Sequence, residues 1–475
     1  MSGKWRGKLA LLALTMALAC ALPPSTAVAH PTHGSTPNAV VAWNAIAADA
    51  ALDSCLAPAN NPLHESRMYA IMHIAIHDAL NAIRHRARPY AFRGHAPGAS
   101  PEAAVAAAAR TTLLATLAEL PQPFAGCRDT EEVVAAVEAD YTAALAAIPR
   151  GRAKAKGIAL GERSAHKILT QRADDGSNTP LFAFDFPDGD EPGEYRLTPG
   201  FDPRFAFAPR WGEVDTFALR YASQIPIEAP YAINSAAYTA DYNEVKRLGG
   251  DGVTTPSART AEETEIAQFW DESSPLLWNR LARQLAQERR LDLWQSARLF
   301  GLLDLALADG YIATFEAKYR LLFWRPVTAI QLGATDGNSA TEGDPTWTPL
   351  RTTPPIPDHD SGHSIEGGAA AAVLRGFFGT DRMKFALCSY LAPAGRTCTD
   401  TSPLLRHYTS FSQAAAENAR SRVLIGYHFT HATAVGTARG TKLGKLTVRK
   451  LPAASASALA VRGHASSRPA AEFHS

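Results

Sequence analysis

Lys318-Tyr-Arg-Leu-Leu-Phe-Trp-Arg325-Pro326 closes a long run of apolar residues at helical spacing that opens at Leu291. A helix of that length is the dominant element of any fold that contains it. Lys318 and Arg325 are seven residues apart, nearly two turns at about 100° per residue, so on one helix both cations leave the same face. Pro326 disfavours α geometry at Arg325 and terminates or kinks the helix there. Leu321, Leu322, Phe323 and Trp324 lie between the cations, where an ordinary solvated face would be more polar.

Outward from this stretch the same periodicity recurs. It predicts helices over 38–57, 65–84, 103–120, 130–148, 153–172, 261–270, 275–289 and 364–378, and over 412–445 with an interruption at Gly426. Asp129 or Thr130 opens the fourth, with Glu131 and Glu132 in its first turn. Strand signals are scarce, so the fold class is all-α. Residues 177–260 are rich in proline, glycine and aromatics, which predicts a long irregular connection with short helices. A stretch this long is usually functional, such as a wall over a pocket. His73 and His77 lie four apart on helix 65–84, beside Asp78. Such a pair can bind zinc, but without a third ligand core packing is the preferred reading.

The chain has 475 residues, 46% hydrophobic and 20% charged, with a formal net charge of +1. It can bury a large core in one big domain or two packed halves. Its basic residues are dispersed, which argues against a nucleic-acid footprint. Lys4, Arg6 and Lys8 precede an apolar run from Leu9 to Leu22, and Ala27-Val-Ala29 follows. This predicts a secretory signal over residues 1–29 and a secreted or periplasmic protein. The apolar run is too short to span a bilayer, so no transmembrane segment is expected in the mature chain. A lipoprotein reading through Cys20 lacks the larger apolar residue expected three positions earlier. Losing three cations and no acids brings the mature charge to −2. Cys55, Cys127, Cys388 and Cys398 remain, and the simplest pairing is Cys55 with Cys127 and Cys388 with Cys398. No C-x-x-C pair points to structural zinc. The expected organisation is an N-terminal helical region over 30–260, a C-terminal helical catalytic domain over 261–451, and a disordered tail over 452–475.

Two further segments carry chemistry: Pro357-Asp-His-Asp-Ser361-Gly362-His363-Ser364 and Ser421-Arg422-Val-Leu-Ile-Gly-Tyr-His428. Asp360 or Ser361 before an alanine-rich run marks a helix start. With Asp360 as the cap, the amides of Ser361, Gly362 and His363 point outward where the macrodipole favours an anion. Arg422 and His428 are six apart, about 120° around an unbroken helix, unless Gly426 relaxes it. Singly, these segments are a capped helix, a surface arginine and a core histidine. Together they offer three fixed cations, two imidazoles, a hydroxyl and a run of N–H donors, a set suited to a tetrahedral oxyanion.

Lys318…Arg325-Pro326, Ser361-Gly362-His363 and Ser421-Arg422…His428, in this order, resemble the three-part signature of the type 2 phosphatidic acid phosphatase and vanadium haloperoxidase superfamily. The wording from Glu316 to Ile330 is similar to secreted bacterial haloperoxidase-type members. The resemblance implies helical bundles around an oxyanion pocket. It implies that Lys318, Arg325, Ser361, Gly362, His363 and Arg422 bind vanadate or phosphate. It further implies that His428 is axial to vanadium if vanadate is bound, that His363 acts as acid–base, and that Lys318 polarises bound peroxide. Ile356 falls at a pocket-wall position. The expected activity is oxidation of halide with hydrogen peroxide, with vanadate as cofactor. The alternative is a secreted acid phosphatase that needs no cofactor, cleaving a phosphomonoester through a phosphohistidine at the same site.

Two positions depart from the family pattern. Asp360 stands where proline is frequent, and Ala432 stands where an aspartate four residues after the axial histidine is frequent. Loss of that carboxylate should weaken a nucleophilic His428 more than a ligating one, which leans away from phosphatase. His431 or a backbone carbonyl could substitute, and Asp271 or Glu272 could pair with a pocket cation. A non-catalytic oxyanion binder is the third reading. A divalent-metal site at Asp358, His359, Asp360 and His363 is a weaker fourth. Gly362-His-Ser364-Ile-Glu lacks the second glycine of a serine-hydrolase elbow.

Overall fold

The computed structural model describes residues 37–120, 127–393 and 395–453. The expected signal segment with Cys20, and the expected disordered tail from residue 454, lie outside these. Five helices come first: α1 (Ala39–Asp53), α2 (Pro62–Ile83), α3 (Pro101–Ala118), α4 (Thr130–Ala146) and α5 (Arg152–Arg172). The side chains of Asn38, Asn61 and Ser100 accept from first-turn amides of α1, α2 and α3, as N-caps do. Helix α2 is buried over nearly its whole length. His73 lies against Asp304 and the Tyr69 carbonyl, and His77 against Asp78 and Asn81, so the two rings take different partners.

Glu65 on α2 is fully buried, with a hydrogen bond from the Ser273 hydroxyl. Burial pushes its carboxyl up to about 8 from 4.5, and the serine bond opposes this only in part. The folded state therefore holds a proton that the unfolded state has released across that window. This contribution to stability is complete below about 4.5 and is lost as pH rises through about 8. A Glu65→Gln variant is expected to lose this dependence. Unfolding followed from pH 5 to 8 should show the wild type losing about 1.4 kcal/mol more per pH unit than the variant.

The remaining helices are α6 (Ala236–Gly249), α7 (Ala261–Phe269), α8 (Ser274–Glu288), α9 (Leu293–Leu321), α10 (Pro326–Gln331), α11 (Gly362–Phe378), α12 (Phe411–Leu424) and α13 (Thr430–Thr447). Helix α9, opened by a capping box between Asp292 and Gln295, packs against α2 and α11 and is buried nearly throughout. It ends earlier than its apolar pattern. Leu322 takes a left-handed conformation with φ of 47°, and Arg325 becomes the N-cap of α10. Lys318 and Arg325 therefore do not share a helix face. Likewise α12 stops at Leu424, and Gly426 at φ of 87° turns the chain so that His428 lies in the link to α13. A Cβ on Gly426 would also sit 2.6 Å from the Gly249 carbonyl oxygen. The link is closed by the amides of Tyr427 and His428, both donating to the Arg422 carbonyl.

Helices α11 and α13 approach along a stripe of glycines. A Cβ on Gly436 would lie 2.7 Å from Ser361 O, on Gly440 1.9 Å from Ile365 O, and on Gly444 2.5 Å from Ala369 O. These obstacles are backbone, so a side chain can be admitted only by moving a helix. Gly440→Ala is expected to destabilise the protein by about 2 kcal/mol or more in denaturant unfolding, despite alanine's better helix propensity.

Two sheets of two strands complete the described fold, β1 (Phe182–Ala183) with β2 (Ala206–Phe207) and β3 (Arg382–Leu387) with β4 (Arg406–Ser410). Disulfides join Cys55 to Cys127 and Cys388 to Cys398. The connection from residue 173 to 235 lies against the ends of the chemical segments. Tyr195 N–H donates to Leu322 O, Trp324 N–H to Gly193 O, and Phe207 N–H to Pro355 O. The described residues all fall in one compact unit, and α2 packs on α9 across residue 260. Among the described residues no helix is long and apolar enough to cross a membrane.

Candidate oxyanion site

Lys318 lies on the last turn of α9, fully buried, and its Nζ donates to Pro357 O and Asp358 O, each at 2.7 Å. Arg325 donates from Nε to Ile356 O at 2.6 Å and from Nη1 to Tyr427 O at 2.8 Å. The two cations thereby tie residues 356–358 to the link that carries His428. An ammonium has three protons, so Lys318 keeps one to give.

His428 is 5% exposed. Its Nδ1 lies 2.9 Å from Asp358 Oδ1, and its Nε2 lies 3.0 Å from Arg325 Nη1. Arginine only donates, which assigns Nε2 as acceptor and Nδ1 as the protonated nitrogen facing the carboxylate. The orienting acid missing at Ala432 is thus supplied from another segment, by Asp358. Neither His431 nor a backbone carbonyl takes that place; His431 Nε2 contacts Ala229 O instead.

Arg422 donates from Nη1 to Trp270 O at 2.9 Å, and Nη2 is 3.3 Å from Asp271 Oδ1. Of the two candidate acids, Asp271 pairs with the pocket cation, whereas Glu272 pairs with Arg280. Among the described residues the buried Nε of Arg422 has no acceptor. His363 directs Nε2 to Glu272 O at 3.1 Å, leaving Nδ1 as its acceptor nitrogen.

Helix α11 begins at Gly362 with Ser361 as N-cap, and no side chain among the described residues caps it. Asp360 is therefore not the cap the sequence implied. Its Oδ1 accepts from Thr314 Oγ1 at 2.6 Å and its Oδ2 from Arg439 Nη1 at 2.8 Å, both inside the core. The Ser361 amide is also spent, on Ala432 O at 3.1 Å. What remains for an anion is the Ser361 hydroxyl proton, since its oxygen accepts from Ser364, and the opening amides of Gly362 and His363. The residues of the divalent-metal reading go separate ways: Asp358 to His428, His359 to Glu228 O, Asp360 to Arg439 and His363 to Glu272 O.

Burial holds the His428 imidazole well below the usual histidine range, and Arg325, Lys318, Arg422 and His363 push the same way. His363 is lowered likewise, by burial and then by Arg422, Arg325 and Lys318. The two rings and three cations thus act on one another across one small region. The Lys318 ammonium is lowered by burial and by Arg325. Burial raises Asp358 to about 7 against the pull of Arg325 and Lys318. A cavity of about 480 Å³ beside Asn81, Arg93 and Pro452 is lined by none of these groups. The cluster reaches solvent at Ile356, Gly362 and His363, which are only partly buried.

Residues 298–455 match the family model of the VCPO second helical-bundle domain. Over 279 residues, 47% of this chain, the sequence is 25% identical to the vanadium chloroperoxidase of Curvularia inaequalis; the match spans 45% of that relative's length. The crystal structure of the first bacterial vanadium-dependent iodoperoxidase superposes with a TM-score of 0.71 at 24% identity, covering 88% of this chain and 97% of that one. A holo-type bacterial vanadium-dependent chloroperoxidase gives a TM-score of 0.68 at 16% identity, with the same coverage. These likenesses show an all-helical haloperoxidase fold. The family match over residues 298–455 and these likenesses support the superfamily that unites vanadium haloperoxidases with type 2 phosphatidic acid phosphatases.

Proposed function

We propose that this protein is an exported, vanadate-dependent haloperoxidase that oxidises halide with hydrogen peroxide. Export rests on the N-terminal pattern and on two disulfides, which persist in oxidising compartments. The observation that carries the reading is the buried Nε of Arg422, unpartnered among the described residues, in a cluster where Lys318 and Arg325 are also buried and two imidazoles are held neutral. An oxyanion is the ligand such a donor-rich site fits.

Vanadate would be held by Lys318, Arg325, Arg422, the Ser361 hydroxyl and the Gly362 amide, with His428 Nε2 as its protein ligand. When bound it supplies a Lewis-acidic centre at which peroxide becomes electrophilic towards halide. Asp358 fixes the tautomer that leaves the Nε2 lone pair free to ligate. Arg325 Nη1 engages that lone pair now, and its N–H passes to the oxyanion when the ligand arrives. Lys318 directs its third proton at the same charge. An anion among these cations counters their effect on His363 and raises its proton affinity, so His363 becomes the proton donor as the site fills. Each turnover converts peroxide, halide and one proton to hypohalous acid and water.

The Asp358–His428 pair also favours a second reading, a phosphomonoesterase. A carboxylate on Nδ1 makes Nε2 more nucleophilic, so the argument against a phosphatase drawn from Ala432 loses its force. His428 would attack phosphorus, His363 would protonate the leaving alcohol, and water would resolve the phosphohistidine. Purified protein is assayed with peroxide and bromide, with and without orthovanadate, beside p-nitrophenyl phosphate hydrolysis. Halogenation that requires vanadate is the expected result. Hydrolysis inhibited by vanadate, without halogenation, establishes the second reading in place of the first. Neither activity, with tight phosphate binding, leaves an oxyanion binder and overturns both.

A further inference from the structure

Behind the first turn of α11 lies a second polar set that the oxyanion site does not use. Both carboxyl oxygens of Glu366 and Glu65 Oε1 have no hydrogen-bond partner among the described residues, and the Tyr311 and Ser274 hydroxyls have at most each other. All four residues are at most 3% exposed. They converge from four helices: Glu65 from α2, Ser274 from α8, Tyr311 from α9 and Glu366 from α11. Glu366 lies against Gly310, where a Cβ would meet its Oε1 at 2.0 Å, so this glycine makes the space its carboxyl occupies. The Tyr311 hydroxyl feels Glu366 most strongly after burial itself, then Glu65, and Ser274 stands beside it.

Buried polar atoms that lack protein partners are ordinarily satisfied by internal water, provided several converge on one space. Here the Tyr311 hydroxyl senses Glu366, Glu65 and Ser274 together, and three carboxyl oxygens of the two acids are left to satisfy. The set also borders the site. Its Tyr311 ring carbon would be 3.9 Å from a Cβ on Gly362. Glu366 follows His363 by nearly one turn of α11. Ser274 is two residues beyond Glu272, whose carbonyl accepts from His363 Nε2. Ser273, between them, donates to Glu65 Oε2 at 2.7 Å.

We propose that Glu65, Ser274, Tyr311 and Glu366 line an internal water chamber in which Glu366 stands as a carboxylic acid and from which His363 is reprotonated. Burial raises the Glu366 carboxyl well above the usual range, and nearby Asp309 adds to the effect. In the forward step the Glu366 O–H bond breaks, a chamber water takes the proton, and that water or a following one gives a proton to His363. Glu366 regains its proton from solvent through the same waters, so nothing is oxidised or reduced. The role for His363 rests on the haloperoxidase reading, which consumes one proton per turnover; the hydrated chamber does not.

The test uses infrared difference spectra of the intact chain, wild type minus Glu366→Gln, in H₂O and after transfer to D₂O. A protonated-carboxyl band lost in the variant, and shifting promptly in D₂O, is expected. Absence of that band, or a band that fails to exchange, overturns the chamber whatever the catalytic activity. Tyr311→Phe, which keeps the ring and the fold, should move the Glu366 band without abolishing it; an unmoved band also overturns the chamber. In bromide oxidation, Glu366→Gln should lower kcat roughly tenfold with the peroxide KM unchanged. An unchanged kcat removes the proton-supply role. Were bromide oxidation absent while the infrared result held, the functional reading would fall and the chamber would stand.

Discussion

Asp358→Ala is expected to weaken orthovanadate binding by roughly 10- to 100-fold, the usual cost of losing the carboxylate that orients a ligating histidine. The carboxyl sits 2.9 Å from His428 Nδ1, and its removal leaves that N–H buried without an acceptor. A ring freed in this way no longer presents Nε2 as a lone pair. The opposing effect is electrostatic, since deleting an anion from an anion site should tighten binding. That effect is muted because burial raises Asp358 to about 7, so near neutral pH much of the population carries no charge there. Orientation therefore wins. Titration calorimetry of orthovanadate at pH 6.5 decides it, and tighter binding by the variant means the charge argument is the correct one.

Asp360→Ala is expected to cost about 3–5 kcal/mol of stability, the range for breaking a buried ion pair from one side. Arg439 is 2% exposed, its Nη1 depends on Asp360 Oδ2, and among the described residues its Nε already lacks a partner. Thr314 loses its acceptor at the same time. Denaturant unfolding measures the loss. Adding Arg439→Met should recover most of it, because the penalty is the stranded charge rather than the missing contact. A double variant as unstable as the single one would show that Asp360 acts otherwise.

The helices were legible in the sequence because their apolar positions recur at 3.6 residues and their caps are local. Helix α6 also had its signal, Ser235 as N-cap with Tyr238, Tyr242, Val245 and Leu248 buried at helical spacing, but it sits amid proline and glycine. Strand β3 alternates exposed Arg382 and Lys384 with buried Met383, Phe385 and Leu387 apart from Ala386, a period of two too short to stand out ahead of Cys388. The stripe Gly436, Gly440, Gly444 was equally visible as a four-residue repeat.

The site was legible as a set of residues and illegible as geometry. Lys318 and Arg325 meet the same segment because Leu322 leaves the helix, not because seven residues make two turns. Local spacing ties Asp360 to its nearest helix start, yet its partner Arg439 is 79 residues away in sequence. Asp358 replaces an acid expected after His428 from 70 residues upstream. Long-range pairs of this kind leave no mark on local periodicity, so one chain read alone could not assign them.

The claim on which the rest depends is that Lys318, Arg325, Arg422, His363 and His428 enclose a single oxyanion. A crystal structure of the full protein with orthovanadate tests it most directly. It should show vanadium bonded to His428 Nε2, its oxygens meeting Lys318, Arg325 and the Nε of Arg422. Density at a surface position, or none among these five side chains at saturating orthovanadate, would contradict the account.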